Sequence, residues 1–418
     1  MISNVLPGAA TMPKPTKTTK AFLKYKLSPS TISSKYDMKI LTGIKRKLVA
    51  LEIGFHVLKL AIKNYGSVRR AVKVVKAIYL FKQSILGGTN TKWVKLNGKF
   101  FHSYYAPGYP SKKFDKHIEA EFNRIDPLPK KTNALNFIFF AITTKCPLRC
   151  EHCFEWDNLN TKEAFSLTEL QAVVAKFQQE GISQFHFSGG EPMVRVKDLV
   201  QVIKSASDQS DFYVLTSGYN FTAENAKALK QAGLTGVVIS LDHYDGEMHN
   251  AFRGFNNAYE GVLSAIHHAQ EQNLLITISL CATKNFISWE NLIKYAELAK
   301  SLGVAFVQIL EPKAVGHYNG KDVFLTDDHF KLLDKFFLEL NFSPQYKEYP
   351  VLIYHGYYQR RAGCLAGGSR SLYIDSKGYV NACPFCHTRN SNIKDTLNSN
   401  AAIKNSFIKL PCNEYGNV

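Results

Sequence analysis

Between residues 134 and 310, short apolar runs alternate with longer amphipathic stretches. The runs 134–143, 183–187, 212–215, 236–241, 274–281 and 304–310 are rich in aromatic and β-branched residues, which suits strands buried on both faces. The spacers 167–180, 197–208, 222–232, 256–273 and 288–302 read as helices. Each is long enough for the crossover that parallel strands require. Six such units with one hand of crossover predict an α/β fold, a curved parallel sheet shaped as a partial (β/α)6 barrel. In such folds the functional groups gather at the C-terminal ends of the strands.

Ahead of the barrel the pattern changes. Residues 1–34 are rich in Lys, Thr, Pro and Ser without a sustained apolar period, which predicts a disordered basic tail. Stretches 39–62 and 67–86 read as helices. In the second, Arg69, Lys73 and Lys76 share one face while Val68, Val72, Val75 and Tyr79 line another, the pattern of a basic amphipathic helix. The aromatic segment 93–110 reads as a small packed hairpin. No stretch offers the ~18 uninterrupted apolar residues of a membrane span, and no apolar segment with a cleavage site opens the chain.

Charge sharpens this division. Residues 1–134 hold 26 basic and 6 acidic residues, the remaining 284 hold 26 and 28. The front segment therefore suits a peripheral seat on an anionic membrane, an acidic partner, or a plain solvated helical face. No nucleic-acid motif accompanies the charge, so no nucleic-acid partner is expected.

The chain has eight cysteines. Cys146, Cys150 and Cys153 follow the first strand with C-x3-C-x2-C spacing. Three thiolates on one short loop can hold three irons of a [4Fe–4S] cube and leave the fourth open to a small molecule, whereas ferredoxin-type sites close the cluster with four. A zinc knuckle is the plainer alternative, but it needs a fourth ligand. His152, between two cysteines, is poorly placed to supply it. The second strand ends in Gly189-Gly190-Glu191-Pro192. Glycines there let backbone approach a ligand closely, and a carboxylate suits an ammonium group. A plain β-to-α turn would also carry two glycines.

The pair of motifs resembles the radical S-adenosylmethionine (radical SAM) superfamily, over about residues 134–310. Further matches follow in order: Thr216 and Ser217 after the third strand, Ser240 and Asp242 after the fourth, Arg253 before the next helix, and the segment ending at Leu310 and Pro312. The resemblance implies that Cys146, Cys150 and Cys153 hold a [4Fe–4S] cluster. It also implies that Gly189, Gly190 and Glu191 hold the SAM amine and Arg253 its carboxylate. Thr216 and Ser217 would lie near the ribose, Ser240 and Asp242 would form the family's serine-containing strand end within the SAM site, and His152 and Leu310 would lie near the adenine. The 310 segment lacks the glycines usual at that place. The implied activity is reductive cleavage of SAM to a 5′-deoxyadenosyl radical that abstracts hydrogen from a substrate. The protein orients the cofactor and excludes water and oxygen.

Four cysteines fall near the end: Cys364, Cys383, Cys386 and Cys412. Residues 371–374 and 379–382 read as a β-hairpin across a turn ending in Gly378. The hairpin brings Cys364 and Cys383 together, and Cys383 and Cys386 form a C-x2-C hook. Cys412 follows a helix-like stretch, 396–409. Four thiolates suit a second [4Fe–4S] cluster or a structural zinc. The segment is similar to the SPASM/twitch extension of radical SAM enzymes, though a full SPASM domain has seven cysteines. Cys281 reads as an inert buried thiol.

The expected organisation is a tail (1–34), a basic helical and hairpin extension (35–133), the partial barrel (134–325), and a linker helix with an auxiliary-cluster domain (326–418). The resemblance implies a small electron donor of the flavodoxin or ferredoxin type and a cytoplasmic setting, with the basic front end at the inner membrane face. A peptide is the first substrate class. Carbohydrate, lipid-linked or cofactor-precursor chemistry is the second. A non-catalytic protein retaining the fold is the alternative from another class.

Overall fold

A computed structural model describes residues 32–86, 92–129, 134–386 and 391–397. The front segment opens with β1 (Lys39–Leu41). The helices α1 (Gly43–Tyr65) and α2 (Val68–Leu86) follow, then the hairpin β2 (Trp93–Leu96) and β3 (Lys99–Phe101), then α3 (Lys112–Ile125). Sequence reading puts residues 39–41 at the start of a helix. They are instead a strand, with Ile40 opposite Val94. Gly43 at φ 58° interrupts the helical path, and β2, a partner distant in sequence, satisfies the backbone groups.

Of the residues that periodicity puts on one apolar face of α2, Val75 alone packs inward, partly buried. Ala71 and Val74 are buried against Val57, Leu60 and Ala61 of α1 and Phe114, Ile118 and Phe122 of α3. Val68, Val72 and Tyr79 are exposed. The proposed tail ends in contact with the barrel: the buried Ser33 donates its backbone N–H to Gln270 Oε1 at 3.1 Å. Residues 1–31 lie outside the described residues.

All six expected strands form: β4 (Phe137–Ala141), β5 (Gln184–Ser188), β6 (Asp211–Thr216), β7 (Gly236–Ser240), β8 (Leu275–Cys281) and β9 (Phe306–Leu310). The crossovers are α4 (Leu167–Gln179), α5 (Val196–Ser205), α6 (Ala223–Ala232), the short α7 (Gly246–Arg253) with α8 (Ala258–Glu271), and α9 (Trp289–Ser301). Side-chain hydroxyls or carboxylates start several of them: Ser166 and Glu169 form a capping box on α4, and Thr222, Asp245 and Ser288 cap α6, α7 and α9, as helix N-termini demand.

The sheet is longer than six strands. After α10 (Asp327–Phe342) comes β10 (Val351–Tyr354), which pairs parallel with β9. After α11 (His355–Ala362), β11 (Ser371–Ile374) pairs parallel with β4, and β12 (Val380–Asn381) returns antiparallel. The order is β10-β9-β8-β7-β6-β5-β4-β11-β12, with β10 and β12 as open edges, so the barrel stays partial. A short helix, α12 (Lys394–Leu397), closes the described chain.

Alternation along the strands makes two cores. Phe185 and Phe187 of β5 face the covering helices, with Phe140, Phe212 and Phe177. On the concave side, Val94, Leu96, Phe101 and Tyr104 of the front segment pack on Tyr213, Val238, Leu275, Phe306 and Val351. Leu275, Phe306 and Val351 open their strands, and Gln184, which opens β5, donates to the Tyr104 carbonyl at 3.1 Å. The front hairpin therefore plugs the N-terminal end of the barrel and leaves the C-terminal end to the cysteine loop. No helix among the described residues is long and apolar enough to cross a membrane.

Candidate active site

Four segments fix the cysteine loop beyond β4. The first is the loop's own continuation. Cys146 N–H donates to Asn160 Oδ1 and Asn160 Nδ2 donates back to the Cys146 carbonyl, both at 3.1 Å. Asn160 sits at φ 56°, a region that Asn tolerates better than most residues. Glu163 takes the Thr144 N–H at 3.0 Å.

The second is the Gly189–Gly190 turn after β5. A Cβ on Gly190 would stand 2.3 Å from the Lys145 carbonyl oxygen and 3.1 Å from Cys146 Cβ. At Gly189, where φ is 133°, it would meet the Thr143 carbonyl at 2.5 Å. Sequence reading assigns these glycines to close approach of a ligand. In this structure the atoms they admit belong to the cysteine loop.

The third is the C-terminus of α7, whose last carbonyls lack helical partners. Arg149 and Glu151 N–H groups donate to the carbonyls of Arg253 and Phe252 at 3.1 and 3.0 Å. The fourth follows β9: His317 donates its backbone N–H to the Cys153 carbonyl and its Nδ1–H to the Cys150 carbonyl, both at 2.9 Å. Its ring stacks on Trp156 at 3.9 Å. Sequence reading does not single out Asn160, Glu163 or His317. Each acts through backbone contacts that leave no spacing motif.

The three thiols are partly buried and unpaired. Burial pushes the Cys146 thiol upward, with Glu191 adding to it, and raises Cys153 to about 12. Cys150 is raised by burial and pulled back by Arg253, whose guanidinium nitrogen lies 3.7 Å from Sγ. Among the described residues, no three His, Cys, Asp or Glu side chains converge as a single metal ion requires. A four-iron cluster spreads its thiolates over separate irons, so the loop is compatible with one. The donor set fits: three thiols on one anchored loop, with a cation at one of them.

The expected SAM contacts surround this loop but are engaged with one another. Glu191 Oε1 accepts from Met193 N–H at 3.0 Å and Thr216 Oγ1 at 2.7 Å, and Oε2 accepts from Ser217 N–H at 2.8 Å and Ser217 Oγ at 2.6 Å. Burial raises the Glu191 carboxyl and these donors oppose the rise. A carboxylate has about four lone-pair sites, so Glu191 reads as the tie between the second and third strand ends. Asp242 accepts from the Cys281 N–H at 2.9 Å and from Arg253. The His152 ring stacks on Phe252 at 4.8 Å, and burial lowers it to about 4, so it is neutral. Ser240 and Leu310 end neighbouring parallel strands on either side of β8, both half-buried. Cys281 is buried, and burial raises its thiol.

The second cysteine set is partly within view. Gly367 N–H points to Cys364 Sγ at 3.4 Å, and a Cβ on Gly367 would stand 3.7 Å from Cys383 Cβ. Cys383 and Cys386 sulfurs are 3.4 Å apart. The hairpin thus gathers Cys364, Cys383 and Cys386, and Gly378 takes the turn position at φ 93°. Cys412 and most of 396–409 lie outside the described residues. Phe154 links the two sets, with ring centroids 5.9 Å from Tyr373 and 5.8 Å from Phe385.

The sequence profile of the Radical SAM superfamily matches residues 140–299. The chain carries a radical SAM domain. Among relatives, the AdoMet-dependent heme synthase of Methanosarcina barkeri is 27% identical over 287 residues, 63% of this chain and 81% of the relative. The PqqA peptide cyclase of Bradyrhizobium diazoefficiens is 32% identical over 144 residues, 34% of this chain and 38% of the relative. Among solved structures, Streptococcus suis SuiB bound to precursor peptide SuiA superposes with a TM-score of 0.52 at 13% identity, over 84% of this chain and 79% of that one. At that identity the match speaks for the fold. Radical SAM proteins use a [4Fe–4S] cluster and SAM, and the named relatives are enzymes.

Proposed function

We propose that the chain cleaves SAM reductively at a [4Fe–4S] cluster held by Cys146, Cys150 and Cys153 and turns the radical on a peptide. The observation that carries this reading is the cysteine loop itself, anchored by β5, α7 and the segment after β9, with Arg253 set against Cys150. Bound cluster and SAM supply a one-electron cleavage that yields methionine and a 5′-deoxyadenosyl radical. The chain's part is to hold and shield them. Gly189 and Gly190 keep the loop against β5, Thr216 and Ser217 are set by Glu191, and Arg253 offers its cation beside the cluster, with Ser240, Leu310 and His152 around them.

A second cluster on Cys364, Cys383 and Cys386, with Cys412 as a candidate fourth ligand, would act as an electron relay or a structural pin. A small flavodoxin or ferredoxin would supply electrons. A reducing, cytoplasmic setting is the one in which such thiols stay available to iron.

The peptide reading draws on the PqqA peptide cyclase and on the precursor peptide bound by SuiB. A second reading, a cofactor precursor, draws on the heme synthase, which is matched over a larger share of its length. Anaerobic reconstitution followed by SAM, dithionite and product chromatography tests the core reading: 5′-deoxyadenosine must appear. A cluster-filled protein that forms none defeats it.

A further inference from the structure

The front helices carry a surface that the fold does not use. On α1, Ile44, Leu48, Leu51 and Phe55 are 76, 60, 60 and 67% exposed. Their spacing of four, three and four residues places them on one helical face. It lies opposite the face whose Val57, Leu60 and Ala61 pack inward. On α2, Val68, Val72 and Tyr79 repeat the pattern at four and seven residues and are also exposed. Of the fourteen large apolar side chains exposed among the described residues, eight lie on these two helices, so the concentration is local rather than the usual scatter.

The flanks of both stripes are cationic. Lys45, Lys47, Lys59 and Lys63 of α1 and Arg69, Lys73 and Lys76 of α2 are exposed. Arg70 is held by Asp126. Glu52 is the one acidic residue in either helix, and it accepts from the Tyr109 hydroxyl at 3.1 Å.

We propose that the outer faces of α1 and α2 seat this enzyme on the surface of an anionic phospholipid bilayer. The apolar stripe enters the boundary between headgroups and acyl chains, and the lysines and arginines meet lipid phosphates. Other occupants fit less well. A second copy would bring two cationic surfaces together. Residues 1–31 hold five lysines and no acidic residue, so they are repelled by the same face and add to its attraction for lipid. Nucleic acid would pair the lysines and leave Phe55 and its neighbours in water.

The test is co-sedimentation of the full chain with phosphatidylcholine vesicles, with and without phosphatidylglycerol. Binding is expected with the anionic lipid only, weakening as salt rises. Two variants separate the contributions. One combines Leu48→Ser, Leu51→Ser and Phe55→Ser. The other combines Lys59→Gln, Lys63→Gln, Arg69→Gln, Lys73→Gln and Lys76→Gln. Each should lower vesicle partition by about tenfold or more, with iron content and SAM cleavage in solution unchanged. Binding that ignores lipid charge, or that survives the serine substitutions, overturns the proposal. So does a lipid-free dimer that the serine variant dissociates while neither protein binds vesicles.

Discussion

Arg253 holds Asp242 with two nitrogens on one carboxylate oxygen, Nε at 2.6 Å and a terminal NH2 at 2.5 Å. Both side chains are nearly buried. Burial works against the charge on Asp242, but Arg253 outweighs it and keeps the carboxyl below its usual range. The remaining guanidinium nitrogen is thereby aimed at Cys150. An asparagine has the same size but carries no charge to neutralise the guanidinium, and its amide NH2 would face either Arg253 or the Cys281 N–H, donor against donor. Asp242→Asn should therefore retain iron near the wild-type level but bind SAM about 10–100-fold more weakly, as happens when support behind a ligand is removed. SAM titration followed by the cluster's electron paramagnetic resonance reads this directly. Unchanged affinity would reduce Asp242 to a packing residue.

Gly190 gives a sharper test, because its neighbour is backbone. The Lys145 carbonyl at 2.3 Å from an added Cβ cannot rotate away. Gly190→Ala should displace the start of the cysteine loop and lower reconstituted iron several-fold, while circular dichroism stays near wild type. Gly54, which like Gly190 lies outside the positive-φ region but has nothing within 4 Å of an added Cβ, is the control for glycine loss alone, and Gly54→Ala should keep its iron.

What the sequence makes legible follows from which forces are local. The six strands announce themselves because burial on both faces leaves continuous apolar runs, and the cysteine loop and Gly189–Gly190 turn are short contiguous motifs. The additions at the sheet edges are less legible. β10 is only four residues long, and β11 pairs with β4, more than 230 residues earlier. On α2 the apolar stripe is legible, but the face that packs is not: Ala71 and Val74 make the inward contact, and which helix face meets α1 and α3 depends on partners distant in sequence. Glu191 and Arg253 are legible as residues. That each is engaged by another side chain is visible only once the strand ends are brought together.

Tyr373 ties the C-terminal hairpin to the cysteine loop by donating its hydroxyl to Glu155, two residues after Cys153. Ser376 Oγ and Asn158 Nδ2 complete the buried carboxylate at 2.9 and 3.1 Å. Tyr373→Phe removes one donor from that site at a cost of about 1–3 kcal/mol. Faster hydrogen exchange in residues 371–381 is expected, with the barrel strands β6–β8 unaffected. Uniform change across the sheet would mean the bond supports the whole fold instead.

The second cysteine set is tested by removing the first. A chain with Cys146, Cys150 and Cys153 all changed to Ala should still bind iron after anaerobic reconstitution. Changing Cys383 and Cys386 to Ala in addition should abolish what remains. Absence of iron from the first variant, or zinc in its place, would refute an auxiliary cluster.

Glu121 on α3 joins the front segment to the C-terminal part of the sheet. Its carboxylate meets Arg370 at 3.0 and 3.1 Å and Arg124 at 2.7 Å, with His117 facing the same group. Burial alone would raise its pKa, but Arg370 and then Arg124 pull it down to about 2. A carboxyl depressed in the folded state contributes stability above its unfolded value, and that contribution is lost as pH falls toward the folded one. Glu121→Gln should therefore cost about 3 kcal/mol near neutral pH. The gap from wild type should close between about pH 4.5 and pH 2. His117, lowered by burial to about 3, takes a proton on unfolding below its ordinary value of 6.5 and destabilises both proteins over that range. The readout is thus the difference between the two urea midpoints and not either one alone. A difference that stays constant as the pH is lowered would show that Glu121 acts through packing, with its charge contributing nothing.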